Sequence, residues 1–137
     1  MPNTVRTAKY FKVQVPNKPG EGARYLRALE KANVDLLAFL GFPTKRRAQM
    51  DFVPADPAAF KALAKRAKWK IKGSKTCLLV QGEDRVGAVA EHANILAKAK
   101  VNIHAISALT GGAGRYGVIL WVKPKDVKKA AKALGAG

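Results

Sequence analysis

The chain repeats itself, and that repeat limits its folds more than any other feature. Shifted by 67 residues, Gln14 falls on Gln81, Asn17 on Asp84 and Gly20 on Gly87. Ala23 falls on Ala90, Leu29 on Leu96, Lys31 on Lys98 and Ala32 on Ala99. Val34, Asp35, Leu36 and Ala38 follow, falling on Val101, Asn102, Ile103 and Ala105. With the shift widened to 70, Pro54, Ala55 and Asp56 fall on Pro124, Lys125 and Asp126. The three added residues belong at the glycine-rich stretch 111–114. Two similar modules, at residues 8–73 and 74–137, describe the chain better than one domain.

Hydrophobic periodicity assigns the elements of each copy. Residues 10–15 alternate, with Phe11, Val13 and Val15 on one face, which predicts a half-buried strand. Residues 16–20 carry turn chemistry, and Asn17 is the candidate helix cap. A helix follows, with Ala23, Leu26, Leu29 and Ala32 as its buried stripe. Residues 34–42 are apolar enough for a central strand, and residues 46–53 form the next. Asp56 caps a helix with the stripe Phe60, Leu63, Ala64 and Ala67, and residues 69–72 give a short last strand. The order β-α-β-β-α-β is the ferredoxin-like unit, an α+β class with an antiparallel sheet and helices on one face.

The second copy places a strand at 75–81 and a helix with the stripe Val86, Val89, Ala90, Ala93, Leu96 and Ala97. Strands at 101–109 and 116–122 flank a hairpin turn, and Asp126 caps the last helix. The second module lacks its last strand. Its sheet is three-stranded or is completed by another segment, and an unfilled edge invites strand pairing and self-association.

Composition narrows the classes. The 137 residues hold 26 Lys and Arg against 9 Asp and Glu, a formal net charge of +17. Hydrophobic residues reach 48%, too many for a disordered basic tail. The N-terminus has no apolar leader and no stretch is long enough to span a membrane, so a cytoplasmic protein is expected. Cys77 stands alone in an apolar run, which excludes an intramolecular disulfide and a cysteine zinc cluster and predicts a buried thiol. His92 and His104 are the only histidines. His92 is read on the charged side of its helix. No nucleophile triad, metal-ligand spacing or phosphate loop is present, so no enzyme, metal or cofactor is expected.

A strand, then Asn17-Lys18-Pro19-Gly20 or Asp84-Arg85-Val86-Gly87, then a helix, then Val-Asp-Leu or Val-Asn-Ile, resembles the ACT domain over about residues 8–134. ACT domains are small regulatory modules of amino-acid-metabolism enzymes, and stand-alone tandem forms occur. The resemblance implies paired modules and a homodimer or larger assembly. It also implies an amino-acid effector between modules, held by the first strand-to-helix turn of one and the second strand of its neighbour. Carried across, the ligand turns are Asn17 to Gly20 and Asp84 to Gly87, and the partner positions are Asp35 and Asn102, with His104 close by. The second turn is preferred, as Gly82, Glu83, Asp84, Arg85, Val86 and Gly87 with Asn102 and His104; Asn17 and Gly20 form the lesser site.

The residues suit that ligand. Gly20 and Gly87 allow close approach to the backbone. A helix N-terminus favours a carboxylate, and Asp or Asn accepts from an ammonium. The copies depart from the family pattern: Asn17 stands where Asp is usual, Val86 where Pro is common, and Asp35 is charged where Asn102 is neutral.

The same element order builds RNA-recognition modules. Residues 114–121 match their third-strand signature in part, but Val118 stands where the central aromatic belongs. Residues 75–81 hold no stacking aromatic and residues 46–53 do not match. The charge divides between the copies and falls in runs at 61–75 and 123–132 that read as solvated helix faces. A nucleic-acid partner is therefore the disfavoured alternative.

Overall fold

Alternation of apolar and polar residues builds the strands, and the computed structural model describes residues 3–136. The elements run β1 (Thr4–Pro16), α1 (Glu21–Lys31), β2 (Leu36–Thr44), β3 (Arg47–Pro54), α2 (Pro57–Arg66) and β4 (Ile71–Glu83). Then come α3 (Ala88–Lys98), β5 (Ala105–Gly112), β6 (Arg115–Trp121), a 3-10 turn (Pro124–Asp126) and α4 (Val127–Leu134). The described residues form an α+β fold with antiparallel strand pairs and four α-helices. It divides into two compact units, Lys9–Lys75 and a second made of Met1–Ala8 with Thr76–Gly137. β1 and β4 each contribute residues to both units.

In the unit Lys9–Lys75 the strand order is β2-β3-β1, and β4 is the other neighbour of β1. Phe11 lies opposite Phe52 and Val13 opposite Met50, so these side chains share one face. With Tyr25, Leu29, Phe60 and Leu63 from the helices they form the core. Phe60 stacks on Phe11 at 5.0 Å and contacts Phe52 at 5.4 Å. Tyr25 meets Trp69 at 4.6 Å, which rotates the buried stripe of α1 to Tyr25 and Leu29 and leaves Leu26 exposed. Residues 34–42 were expected as a central strand, but β2 stands at the end of the strand order. Its apolar run satisfies only one face, and Leu37, Phe39 and Phe42 stay partly in solvent. Trp69 precedes β4 instead of opening it, because its ring is drawn onto Tyr25, Phe52 and Phe60.

In the second unit the order is β5-β6-β4, with β1 beyond β4. Leu78 faces Leu120 and Val80 faces Val118, and these join Ala88, Leu96, Val101 and Ala130 in the core. The N-terminal residues belong to this unit: Val5 packs against its core, and the Asn3 side chain lies over Gly82. Cys77 is buried.

All four helices end alike. Asn33, Lys68, Lys100 and Gly135 take left-handed backbone, with φ of 57°, 61°, 61° and 96°. The following amide closes each turn, as in Val34 N–H to Leu29 O and Trp69 N–H to Ala64 O, each 2.9 Å. This position favours glycine, and lysine there costs about 1 kcal/mol.

The helix starts differ from expectation. Asp56 caps α2, accepting from the amides of Ala58 and Ala59 at 3.1 and 3.3 Å. Asn17 does not cap α1, because the helix begins four residues later behind Gly20. Asp126 stands at the start of α4 without a side-chain cap bond, because the 3-10 turn ahead of it sets its backbone at φ −99°.

Candidate functional site

Both strand-to-helix turns end in glycine for a conformational reason. Gly20 has φ 91° and Gly87 has φ 87°, and each is the N-cap of its helix. A left-handed backbone admits glycine readily and strains other residues. A β-carbon on either would meet nothing within 4 Å, so each α-carbon faces open space. Neither glycine supplies a cap bond, so no cap side chain covers the first-turn amides of α1 and α3. Those amides and the helix dipole attract an anion.

The second turn is tied down on one side. The Asp84 amide donates to Gly114 O at 2.8 Å, joining the turn to the β5–β6 hairpin. That hairpin bends through Gly112, Ala113 and Gly114, all at positive φ. The Ala88 amide donates to Arg85 O at 3.2 Å. The Arg85 guanidinium forms an ion pair with Glu91 in the first turn of α3. Val86 is fully exposed in the turn, outside the helical stripe expected to bury it.

Beneath the turn lies a buried polar pair, His92 of α3 and Tyr116 of β6. His92 is 3% exposed and shares a hydrogen bond with the Tyr116 hydroxyl at 2.5 Å. Its expected place on the charged helix side is corrected: α3 buries Ala88, His92 and Leu96, at four-residue spacing, so the imidazole lies inside that stripe. Burial lowers the His92 pKa, and nearby Glu91 opposes this in part. Burial likewise raises the Tyr116 phenol. Tyr116 is paired with Gly82 across the strands and leans over it. A β-carbon at Gly82 would stand 2.8 Å from Tyr116 Cε1 and 2.1 Å from Asn3 Oδ1. Gly82 thus makes room for the tyrosine, and the spacing Ala88–His92–Leu96 was the signal that could have found its partner. His92 Nδ1 and Arg115 Nη1 are buried with no hydrogen-bond partner among the described residues.

Gly82 through Gly87 form one continuous feature, with Glu83 opposite Arg115 at the start of β6. Asn102 and His104 stand elsewhere. The His104 amide donates to Trp121 O at 2.8 Å, and Ala105 pairs with Trp121 at the far end of β6. Six residues of strand, about 20 Å, separate them from the Glu83 end. The unit therefore does not bring Asn102 or His104 to its own turn. The first copy behaves alike: Pro16 pairs with Arg47, whereas Leu36, beside Asp35, pairs with Pro54 at the other end of β3. Asp35 accepts from the Leu36 amide at 3.0 Å. Asn17 is exposed, and Glu21 beside Gly20 is ion-paired with Arg24, whose hydrogen bond lowers the Glu21 pKa. The first turn thus carries its own carboxylate.

No family model matches the sequence, and no curated protein does. Solved structures do match. A protein of Bacteroides thetaiotaomicron superposes with a TM-score of 0.82 at 17% identity, covering 95% of this chain and 88% of its own. Aspartokinase alpha and beta subunits match with a TM-score of 0.65 at 22% identity, covering 98% and 95%. The ligand-free regulatory subunit of aspartate kinase from Thermus thermophilus matches with a TM-score of 0.64 at 18% identity, covering 96% and 93%. This is an ACT-type fold. The regulatory subunit of aspartate kinase from Thermus flavus also matches, with a TM-score of 0.62 at 18% identity. Among the described residues no helix is long and apolar enough to cross a membrane, and no three His, Cys, Asp or Glu side chains group as a metal site.

Proposed function

We propose that this chain is a non-enzymatic regulatory protein that senses a small amino acid through two ACT-type modules, residues 8–73 and 74–137. The ligand lies between paired modules. Its carboxylate meets the first-turn amides of α3 at Gly87, and its ammonium meets Asp84 and Asn102 of a neighbouring module. The supporting observation is the Gly87 turn: a left-handed N-cap without a side-chain cap, before open space. Asn102 stands at the opposite end of β6 from that turn, so a site using both requires a second module. Pairing has a ready surface. Every residue of β5 is exposed, including Ile106 and Leu109, and β5 ends the strand order. The mechanism is thermodynamic: a ligand that binds only the paired state shifts the chain toward it. The first turn, Asn17 to Gly20, binds more weakly, because neutral Asn17 stands where Asp84 would hold the ammonium.

A thermal-shift screen of the twenty amino acids tests this. Binding at 100 times Kd adds about 2.7 kcal/mol to stability. At least one amino acid should raise Tm, and Asp84→Ala should remove the response. Silence across the set, matched by calorimetry, ends the reading.

A further inference from the structure

Amino-acid sensing does not account for the positive charge. A small domain stays soluble with a net charge of about 2 to 8, and this chain carries +17. Residues 61–75 hold seven cations and no acid. The structure exposes all of them. Lys61, Lys65 and Lys68 follow one another at helical spacing along α2 and its end, away from the buried Phe60, Leu63 and Ala64. Lys70 and Lys72 alternate with Trp69 and Ile71, which pack against the core, and so point away from the sheet face that α2 covers. Among the described residues none of these five lysines is in an ion pair; Lys61 only passes the Phe11 ring at 5.8 Å.

The acids of the same unit are engaged elsewhere. Glu21 holds Arg24 and Glu30 holds Arg27. Asp56 caps α2, Asp35 accepts from the Leu36 amide, and Asp51 is buried against Gln49. A second observation comes from the backbone. Lys45, Lys68 and Lys100 occupy left-handed positions, where glycine would cost less. The first closes the β2–β3 hairpin and the other two end helices. The chain keeps an exposed charge at three sites where conformation favours its loss.

We propose that the exposed face of α2 and its end, Lys61, Lys65 and Lys68, docks on the phosphate backbone of a nucleic-acid duplex without reading its sequence. Six of the seven cations are lysines, point charges without the planar fork that pairs carboxylates or guanine edges. No exposed aromatic in the stretch offers a stacking platform for single strands, since Trp69 is engaged with Tyr25, Phe52 and Phe60. The missing RNA-recognition aromatics count against base recognition but not against backbone contact.

The test is fluorescence anisotropy with a labelled random-sequence 20-base-pair DNA duplex (an arbitrary probe length), titrated from 50 to 200 mM salt. Three phosphate contacts give a log–log slope near −2.7, an affinity loss of about 40-fold over that range. K61Q/K65Q/K68Q should bring the slope close to zero. K128Q/K129Q/K132Q on α4 removes equal charge elsewhere and should stay close to the parent slope. K68G supplies a readout that misfolding cannot mimic: Tm rises by about 3 °C while duplex affinity falls. The proposal is overturned by absence of duplex binding at 50 mM salt, or by equal losses in the two triple variants. Equal competition by polyglutamate at matched charge overturns it in favour of an acidic protein, and a preference for single strands overturns the duplex assignment.

Discussion

Gly82→Ala and Gly22→Ala add the same methyl group and should move stability in opposite directions. At Gly82 the new β-carbon would sit 2.1 Å from Asn3 Oδ1 and 2.8 Å from Tyr116 Cε1. Asn3 is exposed and can swing aside. Tyr116 is 6% exposed and is held by His92, so it cannot yield cheaply. Displacing it breaks the hydroxyl–imidazole bond and leaves two buried polar groups unpaired, at about 1–3 kcal/mol. Crowding the core adds a similar amount, about 1–3 kcal/mol. The expected loss is about 3 kcal/mol. At Gly22, in α1, a β-carbon meets nothing within 4 Å. Alanine there should gain about 0.5 kcal/mol, because the unfolded chain loses freedom that glycine would keep. Urea unfolding of both variants measures the difference. If Gly82→Ala lies within about 0.5 kcal/mol of the parent, Tyr116 is not anchored by His92, and the account of the polar pair is wrong.

Two further outcomes follow from the cores. Burial lowers the His92 pKa below its unfolded value near 6.5. The unfolded chain therefore binds the extra proton first, and stability is full above 6.5 and falls as pH drops toward the folded pKa. Urea unfolding between pH 5 and 8 should show that slope, and His92→Gln should flatten it (a pH range centred on the group). Phe52, fully buried and in ring contact with Phe39, Phe60, Tyr25 and Trp69, should cost about 3–5 kcal/mol on truncation to Ala, read by the same unfolding assay.

Local pattern accounts for much of what was legible. The alternation of Phe11, Val13 and Val15 and the spacing of Phe60, Leu63 and Ala64 mark their strand and helix without reference to anything distant. Asp56 could be read as a cap because its bonds reach only two and three residues ahead. Asn17 misled because the turn type decides where the helix begins. With Gly20 left-handed, the cap moves past the asparagine. His92 misled because helix stripes were drawn through Val86, Val89 and Ala93, and a histidine in the stripe reads as polar until its partner is known. That partner, Tyr116, lies 24 residues away on strand β6.

The same division runs through the chain. By itself the sequence determined the alternation of strands and helices outside residues 69–83, the paired glycine turns and the excess of positive charge, since each is a matter of neighbours along the chain. Tertiary structure decided which strand would stand at the end of the order, that residues 71–83 would form one strand, and that the N-terminal residues would join the unit Thr76–Gly137. It also decided that Asn102 and His104 would stand a strand's length from the turn they were matched with. Register and pairing bring together residues far apart in sequence, and a side chain's burial depends on what is placed against it.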